Sequence, residues 1–482
     1  MASNRFKSTR FRLAAWPCLV AVLTTYALAG CDSKDAPTKR TGTGARILVD
    51  SIHAHNYIEH GLQENIYDYH RTGGYRLGFS FLKAQGIDHD VVTTGELDAA
   101  VLAGRDLLFI NLVSAELPPF TVPEIHAIVQ FVQGGGGVLF ITDHSNCYFH
   151  AHKLKPLFGE LGLSIANETA CEAGPGQLSE GSGWIDINRF DPHPVTAGLR
   201  HIAFQSGGTV DDRFGVARTS DKAWGDLWQV HPYMEGDTPG FYGNWKQDAG
   251  ERSGPLAVVA AKELGKGRIV VVGDQNIFGD PFIGYGDNHR LFLNTVNWLL
   301  KGNAAQAEQL ADAFAAWRTP RILCYENFAQ AAFGTLRSTD FYHFFVHLNR
   351  KHGAFANDDL SGEHQLVIVA DDVPMPAAQL EHLLRHLKAG RNLLILRAAG
   401  FAFIGEDSLT GQLAAKLGQP QTSNTGIAQV AQFNGAGKVY VVLHPDPLTA
   451  GQFADPNKSP DAAQETMLRR VDAMIQKLLP GK

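Results

Sequence analysis

The sequence has few of the residues that announce a metal or disulfide protein. Its 482 residues contain five cysteines, none at the close spacing of a zinc-binding pair, and no HExxH segment. It also has no long run of lysine and arginine, and its formal charge is −7. An acidic chain without a concentrated basic surface excludes nucleic acid as the expected partner. What the sequence has is length and apolar content. A chain of this size exceeds what one core supports, so two domains are expected.

The first thirty residues stand apart. Arg5, Lys7, Arg10 and Arg12 precede the apolar stretch LAAWPCLVAVLTTYALA, and the segment ends in Leu28-Ala29-Gly30-Cys31. A stretch this short with one basic flank reads as a targeting signal and not as a lasting membrane span. The ending resembles the lipobox of bacterial lipoprotein signal peptides. That resemblance implies cleavage before Cys31, acylation of its thiol and a body held on a membrane outside the cytoplasm, in the bacterial cell envelope. Loss of four basic residues would take the body from −7 to −11. Residues 31–44 read as the lipidated cysteine and a polar tether. In an oxidising compartment Cys147 and Cys171 could pair as a disulfide, which would leave Cys324 without an evident mate.

Beyond the tether, apolar runs alternate with amphipathic segments. ARILVDS, DHDVVTTG, RDLLFINL, VLFIT and GRIVVVGD read as strands; GYRLGFSFLKAQG, TVPEIHAIVQFVQGG and HRLFLNTVNWLLK read as helices. Strands that are apolar throughout, separated by helices, predict an α/β fold with a parallel sheet covered on both faces. The layout repeats. Residues 105–141 match 364–396 in order of strand, proline-bearing loop, helix, glycine turn and strand, and PRILCYENF restates ARILVDS. The expected architecture is two tandem flavodoxin-like, doubly wound parallel-sheet domains at 45–302 and 319–480, joined by a linker at 303–318. The first carries a Gly- and aromatic-rich insertion at about 171–255.

FVQGGGGVLFITDH, the later HPVTAGL and the closing GKGRIVVVGDQNIFGD with NHRLFLNTVNWLL resemble the glutamine-amidotransferase-like superfamily. The nearest branches are the ThuA-like proteins and uncharacterised domains related to gliding-motility and intraflagellar-transport proteins. The resemblance covers most of the first domain and, more faintly, the second. The superfamily's glutamine hydrolases place a cysteine on the turn directly after this strand. Here that turn falls near Thr142 or Asp143, Cys147 comes several residues later, and Gly273-Asp274-Gln275 replaces a His-x-Glu pattern. The resemblance therefore implies the fold without glutamine hydrolysis. Because ThuA-like proteins are linked to carbohydrate use, it also implies a glycan as the ligand class.

In such sheets ligands bind at the carboxyl ends of the strands. Asp50, Asp143 and Asp274 each follow a strand, and His53, His55, His144, His150, His152 and His289 follow them in sequence. The candidate site is accordingly Asp50, His53, His55, Asp143, His144, His150 and Asp274, binding a carbohydrate, an envelope component or a divalent metal. With a metal, Asp50, Asp143, His144 and Asp274 could serve a hydrolase; without enzymatic activity, the chain could be a ligand binder or a scaffold of an envelope complex with a partner protein. A plainer role is also open. Asp143, Ser145 and Asn146 suit the N-cap of the next helix, with His150 and His152 simply exposed on its first turn. Tyr57, Tyr69, Tyr75, Tyr148, Phe149, Trp184, Tyr233, Tyr242, Trp245 and Tyr285 fall mostly in expected loops, where they either face a sugar ring or cover the sheet edge. The strand ends of the second domain show no comparable histidine cluster, so the first is expected to carry the function.

Overall fold

The computed structural model describes residues 45–63, 65–173, 184–228, 243–318, 321–325, 342–369, 373–396, 407–424, 428–442, 455 and 458–479. The signal segment, Cys31, the tether, Tyr233 and Tyr242 lie outside the described residues, as does the side chain of Tyr69. Among the described residues no helix is long and apolar enough to cross a membrane.

Among the described residues, twelve strands belong to the first half: β1 (Arg46–Asp50), β2 (Asp88–Val92), β3 (Leu107–Asn111), β4 (Gly137–Ile141), β5 (Glu168–Glu172), β6 (Trp184–Ile187), β7 (Arg189–Phe190), β8 (Ile202–Gln205), β9 (Gly215–Arg218), β10 (Ala223–Leu227), β11 (Ala257–Leu264) and β12 (Gly267–Val272). Eight of them form one sheet in the order β2-β1-β3-β4-β12-β11-β9-β7. The first five are parallel, and the last three run antiparallel in turn. The alternating periodicity of the strands explains both apolar layers. Ile47, Val49, Leu107 and Phe109 pack with Phe79, Leu82, Phe292 and Val296 of helices Arg76–Ala84 and Asn288–Leu299. The residues between them, Leu48, Leu108 and Ile110, pack with Ile128 and Val132 of Val122–Gly134 and Leu157 of His150–Glu160. Thr121 starts Val122–Gly134 with a reciprocal capping box to Glu124, and Gly135 at φ 122° ends it.

Five strands of the sheet are parallel, as expected, and antiparallel strands extend one edge. AVVAAKEL is a strand, β11, that turns at Gly265 and runs back along β12 as a hairpin. Among the described residues of 171–255, β9 and β7 extend the main sheet, while β5–β10 and β6–β8 pair apart.

The second half repeats the plan. Its strands are β13 (Ile322–Tyr325), β14 (Phe355–Asn357), β15 (Leu366–Val369), β16 (Asn392–Leu396), β17 (Gln421–Asn424), β18 (Ala428–Gln432) and β19 (Lys438–Val442), ordered β14-β13-β15-β16-β19-β18-β17. Five parallel strands are again followed by an antiparallel hairpin, so the sequence repeat is a repeat of topology.

The joining segment is a helix. Ala304–Trp317 begins with a capping box between Asn303 and Gln306 and buries Ala311 and Phe314 in the first core. The two halves also share backbone: Gly286 N donates to Ala356 O at 2.7 Å and Ala356 N to Gly284 O at 2.8 Å. Trp184, Phe282 and Tyr285 of the first half complete a core with Phe344, Phe345 and Leu348 of the second.

Candidate functional site

The chain leaves β1 for β2 on one side and reaches β3 on the other, so strand order reverses at the carboxyl ends of β1 and β3. Asp50, Asn111, Asp143 and Asp274 stand at or just beyond strand ends along this edge. The structure divides the expected site residues into three groups with different work.

Asp50 and His53 form the first. Asp50 Oδ1 accepts from the amides of Ile52 at 2.9 Å and His53 at 3.2 Å. The imidazole of His53 lies between two carboxylates, 3.1 Å from Asp50 Oδ2 and 3.3 Å from Glu124 Oε1, and stacks on Phe120. All three polar side chains are buried. Burial alone would push the Glu124 carboxyl up, but the amides of Thr121 and Leu97, the Thr121 hydroxyl and His53 pull it below its ordinary value. This cluster fastens the first strand to helix Val122–Gly134. It does not converge with Asp143, so the expected four-residue set of Asp50, Asp143, His144 and Asp274 is not one metal cluster.

His150 belongs to the second group, which shapes the loop after β4. Its Nδ1 donates to Cys147 O at 2.8 Å and its Nε2 accepts the Asp143 amide at 3.4 Å. Burial lowers it to about 4, so the neutral ring this geometry requires is the one present at neutral pH. Far from being exposed on the first turn, His150 is fully buried, whereas His152 is exposed. The expected N-caps also differ: the helix begins after Phe149 at φ 60° without a side-chain cap. Asn146 Oδ1 reaches the His152 amide at 3.3 Å, while Ser145 Oγ meets His144 Nδ1 at 2.9 Å and Thr169 Oγ1 at 3.2 Å. Ser145, Tyr148 and Phe149 all hold positive φ, so this loop is wound tightly over the sheet edge.

Asp143, His144 and Asp274 are the third group. Asp274 ends its strand as a fully buried acceptor for the amides of Gln205 and Asn276, each at 2.6 Å. Burial raises it to about 7 despite those amides. Asp143 is pushed well above the usual carboxylate range by its own burial and then by the charge of Asp274, against one amide bond from His144 at 2.7 Å. His144 is lowered to about 3 by burial and by His150. Burial thus works against the charged form of both Asp143 and His144. Ligand atoms of Asp143, His144 and Cys147 all lie within 4.8 Å of one another.

Aromatic rings pack around the loop after β4: His55, Tyr148, Phe149 and Trp228 are half-buried, Tyr57 is buried and His152 exposed. Tyr148 meets His55 edge-on at 5.2 Å, and His55 stacks on Tyr57 at 5.3 Å. Phe149 and His152 each face Trp228, at 6.1 and 6.0 Å. Trp228 was not anticipated; it directly follows β10, and its amide donates to Asn167 O. Other expected aromatics are internal: Tyr75 reaches Asn111 at 3.1 Å and Gln275 O at 2.5 Å, and Trp184 and Tyr285 lie between the halves. His289 is also away from the edge, stacked on Phe314 of the joining helix.

Cys147 does not serve as a nucleophile here. It lies six residues past the end of β4 and is buried, with Sγ 3.7 Å from His150 Nδ1. That nitrogen carries the proton donated to Cys147 O, so it cannot take one from the thiol. In this structure Cys147 and Cys171 are both buried free thiols, and burial raises the pKa of Cys171, which stands on β5. A cavity of about 520 Å³ lined by Arg105, Asp106, Phe131 and Lys301 lies at the opposite, amino-terminal edge of the sheet, away from these groups.

No protein-family model and no curated protein matches the chain. Several solved structures are similar to about half of the chain at low identity and low TM-score. One described as the mmIFT52 N-terminal domain is 15% identical, covers 53% of this chain and 98% of its own, and has a TM-score of 0.35. A putative ThuA-like protein from Bacteroides uniformis is 15% identical over 56% of this chain and 99% of its own, with a TM-score of 0.32. A putative GMP synthase protein from Thermoplasma acidophilum is 12% identical over 56% and 97%, at 0.27.

Proposed function

We propose that the first half binds an uncharged, hydroxyl-rich ligand of the carbohydrate class at the carboxyl edge of its sheet, and is not a glutamine amidotransferase. What supports this is the burial of both groups, which raises the Asp143 carboxyl well above its ordinary range and lowers His144 to about 3, disfavouring the charged form of each. A protonated carboxyl offers one donor and its remaining acceptor capacity, and a neutral imidazole one of each, which matches hydroxyls and gives an ionic ligand no counter-charge. Tyr148, Phe149 and Trp228 add half-buried rings of the kind that cover the apolar face of a sugar. The motif resemblance to the ThuA-like branch supports the same ligand class. The lipobox ending at Cys31 supports a body anchored in a bacterial envelope, where cell-surface glycans or an envelope protein are the available partners.

Calorimetric titration of the chain against a panel of neutral oligosaccharides, beside Asp143→Ala, tests the reading. Binding by the wild type that falls at least tenfold in the variant is expected; no binding across the panel would sink it.

One observation favours a second reading. The convergence of Asp143, His144 and Cys147 suits a soft divalent ion such as zinc, which would displace the Asp143 proton and could activate a water for hydrolysis. Metal bound by the wild type and lost in both Cys147→Ser and His144→Ala would put this reading first.

A further inference from the structure

A second group of potential metal ligands lies in the half expected to be inert. His347 Nε2 is 2.8 Å, and His352 Nε2 3.1 Å, from one and the same oxygen of Asp472. Both histidines are buried, on helix Tyr342–His352. Asp472 comes from the last helix, Ala462–Leu478, and its side chain is 30% exposed. The three ligand atoms lie within 4.8 Å of one another.

We propose that His347, His352 and Asp472 form a zinc site that clamps the C-terminal helix Ala462–Leu478 onto helix Tyr342–His352. The argument begins with donor chemistry. Two imidazole nitrogens and one carboxylate oxygen suit zinc or a neighbouring transition ion and not magnesium or calcium, which take oxygen ligands. Geometry agrees. Ligand atoms around a tetrahedral zinc stand about 3.4 Å apart, so separations of 2.8 and 3.1 Å need open by only a few tenths of an ångström. Burial of both rings fixes the donors in advance, and the partly exposed carboxylate leaves an entry path and a fourth position for water. The clamp has something to hold: Val471, Ile475 and Leu478 of the last helix complete the core that includes Phe344, Phe345 and Leu348. This site shares no residue with the Asp143 group and does not depend on what that group binds.

The test uses the full chain. Metal analysis after equilibration with zinc, thermal unfolding with and without zinc, and the spectrum of the cobalt(II) form are measured for wild type, His352→Ala and Asp472→Asn. The asparagine variant keeps an acceptor for both imidazoles and so preserves the fold where the alanine variant does not. One zinc per chain, a higher melting temperature with zinc, and a cobalt spectrum without a thiolate charge-transfer band are expected. Affinity should fall more than about 100-fold in each variant, because even outer-shell changes around a metal cost 10–100-fold. A wild type that takes up no zinc and shows no thermal shift would overturn the proposal. So would a thiolate band that persists in Asp472→Asn with unchanged stoichiometry, which would assign the metal to Cys147 instead.

Discussion

Asp143 and Asp274 follow neighbouring parallel strands, and burial, then the charge of Asp274, raises the Asp143 carboxyl above its ordinary value. The two carboxyls divide their tasks by environment. Asp274 is bonded to the main-chain amides of Gln205 and Asn276, whereas Asp143 accepts the amide of His144. A site built this way should be sensitive to proton balance in ways that simple burial of apolar residues is not.

The pH dependence of stability carries opposing contributions. Asp274 and Asp280 are both pushed up to about 7, chiefly by burial. Between pH 3.8 and about 7 the folded chain keeps protons that the unfolded chain has lost, so these groups make stability fall as pH rises. His150 works the other way. Lowered from 6.5 to about 4, it stays neutral in the folded chain where the unfolded chain binds a proton, so its share of stability rises over that window. In His150→Gln, the change in stability on going from the bottom to the top of that window should therefore be less favourable than in wild type by up to about 3 kcal/mol. Urea unfolding at several pH values reads this; parallel curves for the two proteins would count against it.

His53 should be structural. Removing it leaves Asp50 and Glu124 buried without the imidazole between them, and His53→Ala should cost about 3–5 kcal/mol in chemical denaturation. A loss under 1 kcal/mol would mean that the cluster is not what fastens β1 to its helix.

The thiols make a simple prediction. With Cys171 a free thiol, reductant should leave the melting temperature of the chain unchanged. A drop of several degrees on adding dithiothreitol would reveal a bridge that this structure does not contain.

Much of the fold was legible in the sequence for a clear reason. LLFIN and GVLFI are buried on both faces, so their apolar runs needed no tertiary context to be recognised as central strands. The hairpin of β11 and β12 was not, because an equally apolar run reads the same in either direction. Asp143 and Asp274 could be placed at neighbouring strand ends because strand ends are visible in sequence. The sorting of the histidines was hidden: it depends on Ser145, Tyr148 and Phe149 at positive φ, a conformation that no glycine announces. His347 and Asp472 escaped notice because 125 residues separate them, although three histidines in YHFFVHLNRKH were a signal on their own helix.

The halves should unfold together. Tyr285 lies buried between Trp184 and Phe345, and truncating such an aromatic costs about 3–5 kcal/mol. Tyr285→Ala is expected to lower the melting temperature and to split one calorimetric transition into two. A single transition at the wild-type temperature would show that the contact contributes little.

The most direct measurement compares ligand binding by Asp143→Asn and Asp143→Ala in the same calorimetric titration with the neutral oligosaccharide that the wild type binds best. An asparagine side chain is a neutral isostere of a protonated carboxyl, so the account predicts affinity within about tenfold of wild type for asparagine and a larger loss for alanine. Equal loss in both variants, with metal disappearing from both, would contradict a neutral binding site and point to a carboxylate that works ionised.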